Sequence, residues 1–263
     1  GIGNGIPDDS EVKIEVGSGS RLVIHHGWTE MGQGVHTVAR QVVSQETGLD
    51  PAIMEVRVDT AAEARSGMTT ASRATSLVGN ALIDACAALK RDLEGKSLAA
   101  LAGRVYPGRW RCDWTTPPRT DGRTVSHYSY GYAAQLVVVD GQGRVSRVVA
   151  AHDAGRVVNP TLFEGQIEGA VVMGLGYALS EDLPLKDGLP SGRLADLGLL
   201  RAGDVPEIEV IAVEVADEHG PYGAKGVGEI GLVPTAAAVA NALCLFDGRR
   251  RFRLPLARRE KPT

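Results

Sequence analysis

Apolar and polar residues alternate along Glu11–Val16 and Arg21–His26, the period of half-buried strands, and Gly17-Ser18-Gly19-Ser20 between them reads as the turn of a β-hairpin. The period then lengthens. Val35, Val38, Ala39, Val42 and Val43 recur at helical spacing and Gly48 supplies a C-terminal cap, while Ile53–Val58 returns to a strand pattern. Leu77, Val78, Ala81, Leu82, Ala85, Ala88 and Leu89 form the clearest apolar stripe of the chain and predict a helix. Ser72 or Thr75 could cap its start and Gly95 could end it. Tyr132–Asp140 and Arg144–His152 repeat the hairpin pattern around Gly141-Gln142-Gly143.

Asn159-Pro160 has the form of a helix opening, Asn as N-cap and Pro in the first helical position. The helix that follows carries Gln166 and Glu168, then Gly169, Gly174 and Gly176, small residues that permit close packing against a neighbour. Glu207–Val215 reads as a strand and Pro234–Leu243 as a final helix. Hairpin, helix, strand and helix thus occur twice, which predicts an α+β fold of two related lobes, each a mixed sheet with packed helices. The lobes are expected at 1–105 and 126–263. Between them, 106–125, with Pro107 to Pro118 rich in Trp and Pro, reads as a linker or active-site loop.

Charge and cysteine usage narrow the chemistry. A formal net charge of −4 lacks the electrostatic footprint of a nucleic-acid binder, and Arg249-Arg250-Arg251-Phe252-Arg253 reads as a solvated stretch. Cys86, Cys112 and Cys244 are too few and too scattered for a disulfide framework, a zinc site or an iron–sulfur cluster, which points to a reducing cytoplasm. The longest apolar run, Ala170–Leu179, is too short to span a bilayer. The six histidines show no metal-ligand spacing, so no protein metal site is expected and each reads more readily as structural. The opening Gly1-Ile2-Gly3-Asn4-Gly5 reads like the interior of a longer polypeptide, which suggests a fragment or one part of a split protein.

Two glycine-framed loops stand out: Thr29-Glu30-Met31-Gly32-Gln33-Gly34, and Gly223-Ala224-Lys225-Gly226-Val227-Gly228-Glu229-Ile230-Gly231. Glycine lets backbone amides approach a ligand closely, and a following helix favours anions. Gly226–Gly231 formally matches a dinucleotide fingerprint, but the preceding strand ends near Val215, too far upstream for a nicotinamide fold. Glu229, set among glycines and apolar residues, is the carboxylate to single out. Burial there would make it a better base near neutral pH, though the residues alone suit an N-cap or an ion-pair partner of Lys225 equally well. Gln33 and Gln166 offer neutral amides to a heterocycle, and Ser72, Arg73 and Thr75 suit either a phosphate or plain helix capping.

Five segments occur in order: Thr29–Thr37, Ala71-Ser72-Arg73-Ala74-Thr75, Asp153-Ala154-Gly155-Arg156-Val157-Val158-Asn159-Pro160, Gly165-Gln166-Ile167-Glu168-Gly169 and Lys225-Gly226-Val227-Gly228-Glu229. Together they resemble the xanthine dehydrogenase and aldehyde oxidase family of molybdenum hydroxylases. The likeness is to the C-terminal half of the molybdopterin-binding subunit, nearest the selenium-dependent xanthine dehydrogenase branch. The resemblance implies molybdenum held by a pterin dithiolene, often extended as a cytosine dinucleotide. Met31, Gly32, Gln33 and Gly34 fall on the family's first pterin and phosphate loop, and Thr70, Ala71, Ser72, Ala74 and Thr75 on the loop beside metal and substrate. Gln166 falls on the glutamine that holds the pterin and Glu229 on the catalytic glutamate; Arg73, Lys225, Gly226, Val227 and Gly228 complete the expected cofactor-binding set.

The implied reaction is hydroxylation of a purine-like N-heterocycle or an aldehyde, with electrons leaving through iron–sulfur clusters and usually FAD. Those groups and the N-terminal half of the molybdenum subunit are expected on partner chains, and this chain by itself is expected not to turn over. The alternative is a truncated, non-catalytic module that binds cofactor or partner.

Overall fold

The computed structural model describes residues 3–118 and 122–256. The ends of the two expected lobes (1, 2 and 257–263) and residues 119–121 of the expected connecting loop lie outside the described residues. The chain divides into two compact units that exchange segments repeatedly: Gly1–Tyr130 with Ala154–Leu162 and Glu214–Gly226, and Gly131–Asp153 with Phe163–Val213 and Val227–Thr263.

In the first unit, β1 (Asp8–Val16) and β2 (Leu22–His26) form the expected antiparallel hairpin, with Ile14 opposite Ile24. Gly34 opens α1 (Val35–Thr47) in the left-handed conformation at φ 84° and Gly48 closes it at φ 71°. β3 (Met54–Arg57) then pairs parallel to β2. α2 (Ala74–Leu93) follows, and the sheet runs β3-β2-β1-β4 with β4 at Val105–Cys112.

β4 occupies residues that the sequence placed mostly in the connecting stretch. Its Pro107 and Gly108 weaken a strand pattern, yet each has a place. Pro is tolerated on an edge strand, where no ladder donor is needed on the outer side. A Cβ on Gly108 would collide with the Ala81 carbonyl, so glycine lets β4 press against α2. Ile14, Leu22, Ile24, Trp28, Leu77, Leu82 and Leu89 are fully buried between the sheet and the two helices.

The second unit repeats the plan. β5 (Ala133–Val139) and β6 (Val145–Asp153) pair antiparallel, and β9 (Glu207–Val213) lies parallel to β6. α3 (Pro160–Leu179) precedes β9 in the chain; a two-stranded ribbon, β7 (Leu185–Lys186) with β8 (Leu189–Pro190), lies between them in sequence. α4 (Thr235–Asp247) packs against β5. The strand order β5-β6-β9 matches β1-β2-β3 in direction and pairing. Of the three helical glycines expected to allow close approach, Gly174 meets Thr235 and Gly176 meets Glu181, whereas nothing lies beside Gly169. The α+β architecture of related mixed-sheet lobes is the one read from the sequence. Among the described residues no helix is long and apolar enough to cross a membrane.

Candidate functional site

In the first unit, hydrogen bonds and close contacts join three of the expected cofactor segments. The Thr29 amide donates to Thr69 Oγ1 (3.0 Å), which ties the first glycine loop to the segment entering α2. Gly226 lies so close to Ser72 that a Cβ would collide with the Ser72 carbonyl, which ties that segment to the second glycine loop. The second loop is itself held by residues 154–156. Lys225 N–H donates to the Ala154 carbonyl (2.8 Å), Arg156 N–H donates to the Gly223 carbonyl (2.9 Å), and Gly155 bridges Ala224. Gly155 sits at φ 58°, and a Cβ there would strike the Gly223 carbonyl.

The entry to α2 corrects the capping expectation. The residue at the N-cap is Arg73, with no side-chain cap, and neither Ser72 nor Thr75 fills that role. Ala71 (φ 57°) and Ser72 (φ 49°) are both left-handed, a conformation costing about 1–2 kcal/mol per non-glycine residue. Such strain persists where the surroundings over-determine it, commonly at ligand sites. Here Arg73 supplies the constraint. Its side chain is 2% exposed, pairs with the equally buried Asp8, donates from Nη2 to the Met68 carbonyl (2.6 Å), and lies 5.1 Å from the centre of the Trp28 ring. Placed by sequence among the phosphate-binding residues, Arg73 is instead committed to the interior.

The first glycine loop is a second correction. Its amides are not bare. Glu30 Oε1 accepts from the Gly32 and Gly34 amides (2.9 Å each), and Oε2 accepts from the His36 amide (3.2 Å). Gln33 also turns inward: Oε1 accepts from Met31 N–H (2.6 Å) and Nε2 donates to the Thr29 carbonyl (2.8 Å). Partial burial raises the Glu30 pKa, but the three amide bonds and nearby His36 outweigh it and hold the carboxyl below its ordinary value. The His26 ring lies 5.2 Å from that of His36; burial first, then His36, push His26 down to about 4 against the pull of Glu30. Met31 is 69% exposed, and nothing lies within 4 Å of where a Gly32 side chain would start.

In the second unit, Gln166 on α3 donates from Nε2 to the Gly228 carbonyl (3.0 Å), so the structure brings Gln166 together with the segment that carries Glu229. That segment is anchored further on. Gln135 Nε2 donates to the Gly231 carbonyl (2.8 Å) and stands 3.2 Å from His152 Nε2, while Thr235 Oγ1 donates to the same carbonyl (3.2 Å). Gly231 also packs against Ala170 and Ile167 of α3. His152 is fully buried, and burial lowers its pKa. Sequence reading missed Gln135: one polar residue in an apolar strand gives no signal until its face is known. Glu229 itself is exposed, so the expectation that its own loop desolvates it fails in this chain.

Known proteins give the site its context. A family model described as the molybdopterin cofactor-binding domain matches residues 1–102 and 102–206. The chain is 29% identical to a probable xanthine dehydrogenase subunit of Bacillus subtilis over 99% of its own length and 40% of that protein. It is 30% identical to the 6-hydroxypseudooxynicotine dehydrogenase complex subunit gamma of Paenarthrobacter nicotinovorans, covering 92% of this chain and 36% of that one. The solved aldehyde oxidoreductase of Desulfovibrio gigas superposes with a TM-score of 0.84 at 27% identity, over 97% of this chain and 30% of its own. The chain thus spans 40% or less of the length of these relatives.

Proposed function

The chain belongs to the molybdopterin cofactor-binding domain family of molybdenum hydroxylases, and from that premise we propose that it is part of a catalytic subunit that hydroxylates a purine-like N-heterocycle or an aldehyde. The observation that carries the reading is the fixing of the Glu229 segment, held by Gln166 at Gly228 and by Gln135 and Thr235 at Gly231. A carboxylate on an otherwise immobilised backbone suits a general base, whose reach is limited to hydrogen-bond distance.

The described residues fit a pterin group in part. Met31 and Gly32 present an open, partly apolar surface, and the strained Ala71-Ser72 backbone is held in place beneath by Arg73 and beside by Gly226. Gln166, with one N–H given to Gly228, keeps a second N–H and its carbonyl oxygen for a ligand. The Gly32, Gly34 and His36 amides do not fit a phosphate while Glu30 holds them. A bound molybdenum–pterin group would supply the two-electron redox chemistry. Glu229 would take a proton at a carboxylate oxygen, and Gln166 and Gly228 would set where that oxygen stands. The water exclusion that raises a base towards neutral pH is not provided by the residues around Glu229, and we assign it to bound ligand and to the rest of the molybdenum subunit. Iron–sulfur and FAD partners, a cytosine dinucleotide extension and the selenium-dependent branch belong to the same proposal.

Glu229→Gln in the assembled enzyme is expected to retain molybdenum and pterin while turnover falls by about 10²- to 10⁴-fold; near wild-type turnover would refute the assignment. The exposure of Glu229 favours one alternative, a truncated, non-catalytic cofactor-binding or interaction module. As an interaction module the chain would carry no molybdenum or pterin even when its partners are co-expressed, and as a cofactor-binding module it would carry both without turnover, which metal analysis, pterin fluorescence and an activity assay decide.

A further inference from the structure

The first glycine loop has the form of an anion cradle: three amides converge at the start of α1, where the helix dipole favours negative charge. The anion already present is the loop's own carboxylate. Both oxygens of Glu30 are used, Oε1 by Gly32 and Gly34 and Oε2 by His36. Gln33 closes the rest of the loop by binding Met31 N–H and the Thr29 carbonyl, and Thr69 fixes Thr29.

We propose that Glu30 is a positioning residue: it fills the amide cradle from within and sets the loop in its binding shape before a ligand arrives, leaving ligand contact to the exposed Met31 and Gly32. The alternative for the same atoms is a competitor, in which Glu30 leaves the cradle and the phosphate of an incoming ligand replaces it. The two differ in sign: removing a positioning residue weakens ligand retention, and removing a competitor strengthens it. The assignment rests on the reading of this loop as a pterin contact, so the tests read the loop and the cofactor separately.

The loop is read by amide hydrogen exchange on the protein, and the cofactor by pterin and molybdenum content of the same preparations. Charge-assisted hydrogen bonds are the stronger ones, so Glu30→Ala is expected to speed exchange at Gly32, Gly34 and His36 by at least about tenfold and to lower pterin content. Glu30→Gln keeps a carbonyl oxygen able to accept twice. It is expected to restore protection at Gly32 and Gly34 but not at His36, a split that general loosening of the fold does not produce. It also serves if the alanine variant fails to fold. Exchange at all three amides within about twofold of the parent in both variants overturns the clamp. Faster exchange with raised pterin content overturns it too, in favour of the competitor. Faster exchange with unchanged pterin content leaves the clamp standing and removes the loop from the cofactor site.

Discussion

The two units build the same three strands in opposite surroundings. β1 and β5 hold the same place, each the antiparallel partner of a strand whose other neighbour is parallel. Along β1, buried and half-buried positions alternate over nine residues, with Ile14 wholly buried. Along β5, Leu136 is 61% exposed and Val138 is exposed too, as are Ile211 and Val213 on β9. The first unit therefore completes its core from its own residues, whereas the second leaves one sheet face open. Repeating a topology does not repeat an energy balance: the strand order is set by pairing, the stability by what covers each face.

The sharpest way to break the comparison is to attack a feature of the first unit's interior, the buried pair of Asp8 and Arg73. Asp8→Ala leaves a guanidinium with 2% exposure uncompensated and is expected to cost about 3–5 kcal/mol. All three tryptophans, Trp28, Trp110 and Trp114, lie in this unit. Denaturant unfolding followed by tryptophan fluorescence should therefore report the loss directly. An unchanged midpoint would mean that the pair contributes little beyond an apolar contact.

What could be read from the sequence and what could not divide along physical lines. Hairpins, the four helices and the Asn159 cap, whose Oδ1 accepts from the Leu162 amide (3.0 Å), follow from local periodicity and local hydrogen bonding. β4 does not, because Pro107 and Gly108 are acceptable only on an edge strand pressed against α2. The site was legible as segments and not as contacts. Ordered motifs located Gln166 and the Glu229 loop, and the structure joins them. That Glu30 fills its own loop's amides, that Arg73 faces inward, and that Gln135 holds Gly231 depend on partners far away or on side-chain direction, which no spacing rule encodes.

A smaller effect is expected where the first unit's two ligand-loop segments touch. Gly226→Ala forces a Cβ into the Ser72 carbonyl, and both backbones must move apart. Overpacking of this kind costs about 1–3 kcal/mol. The displacement falls on the strained Ala71-Ser72 turn, so the structural consequence should be local: faster amide exchange at 70–73 with the tryptophan transition lowered less than in Asp8→Ala. Exchange at 70–73 unchanged from the parent would show that the close approach is not a constraint on the turn.

The least effect belongs to the open face of the second unit. Leu136→Ala removes a side chain that is mostly in water, so the stability of the chain by itself should change by no more than about 0.5 kcal/mol. Ile14 on β1, wholly buried, would instead behave as a core site, because cavity and transfer terms apply only where atoms are removed from a packed interior. Measuring Leu136→Ala twice turns this into a statement about the assembly. If the rest of a molybdenum subunit covers β5, the same substitution should weaken association in the reconstituted complex while leaving the isolated chain untouched. A loss of stability above about 2 kcal/mol in the isolated chain would instead show that the face is already packed in solution, and the contrast between the two units would fall.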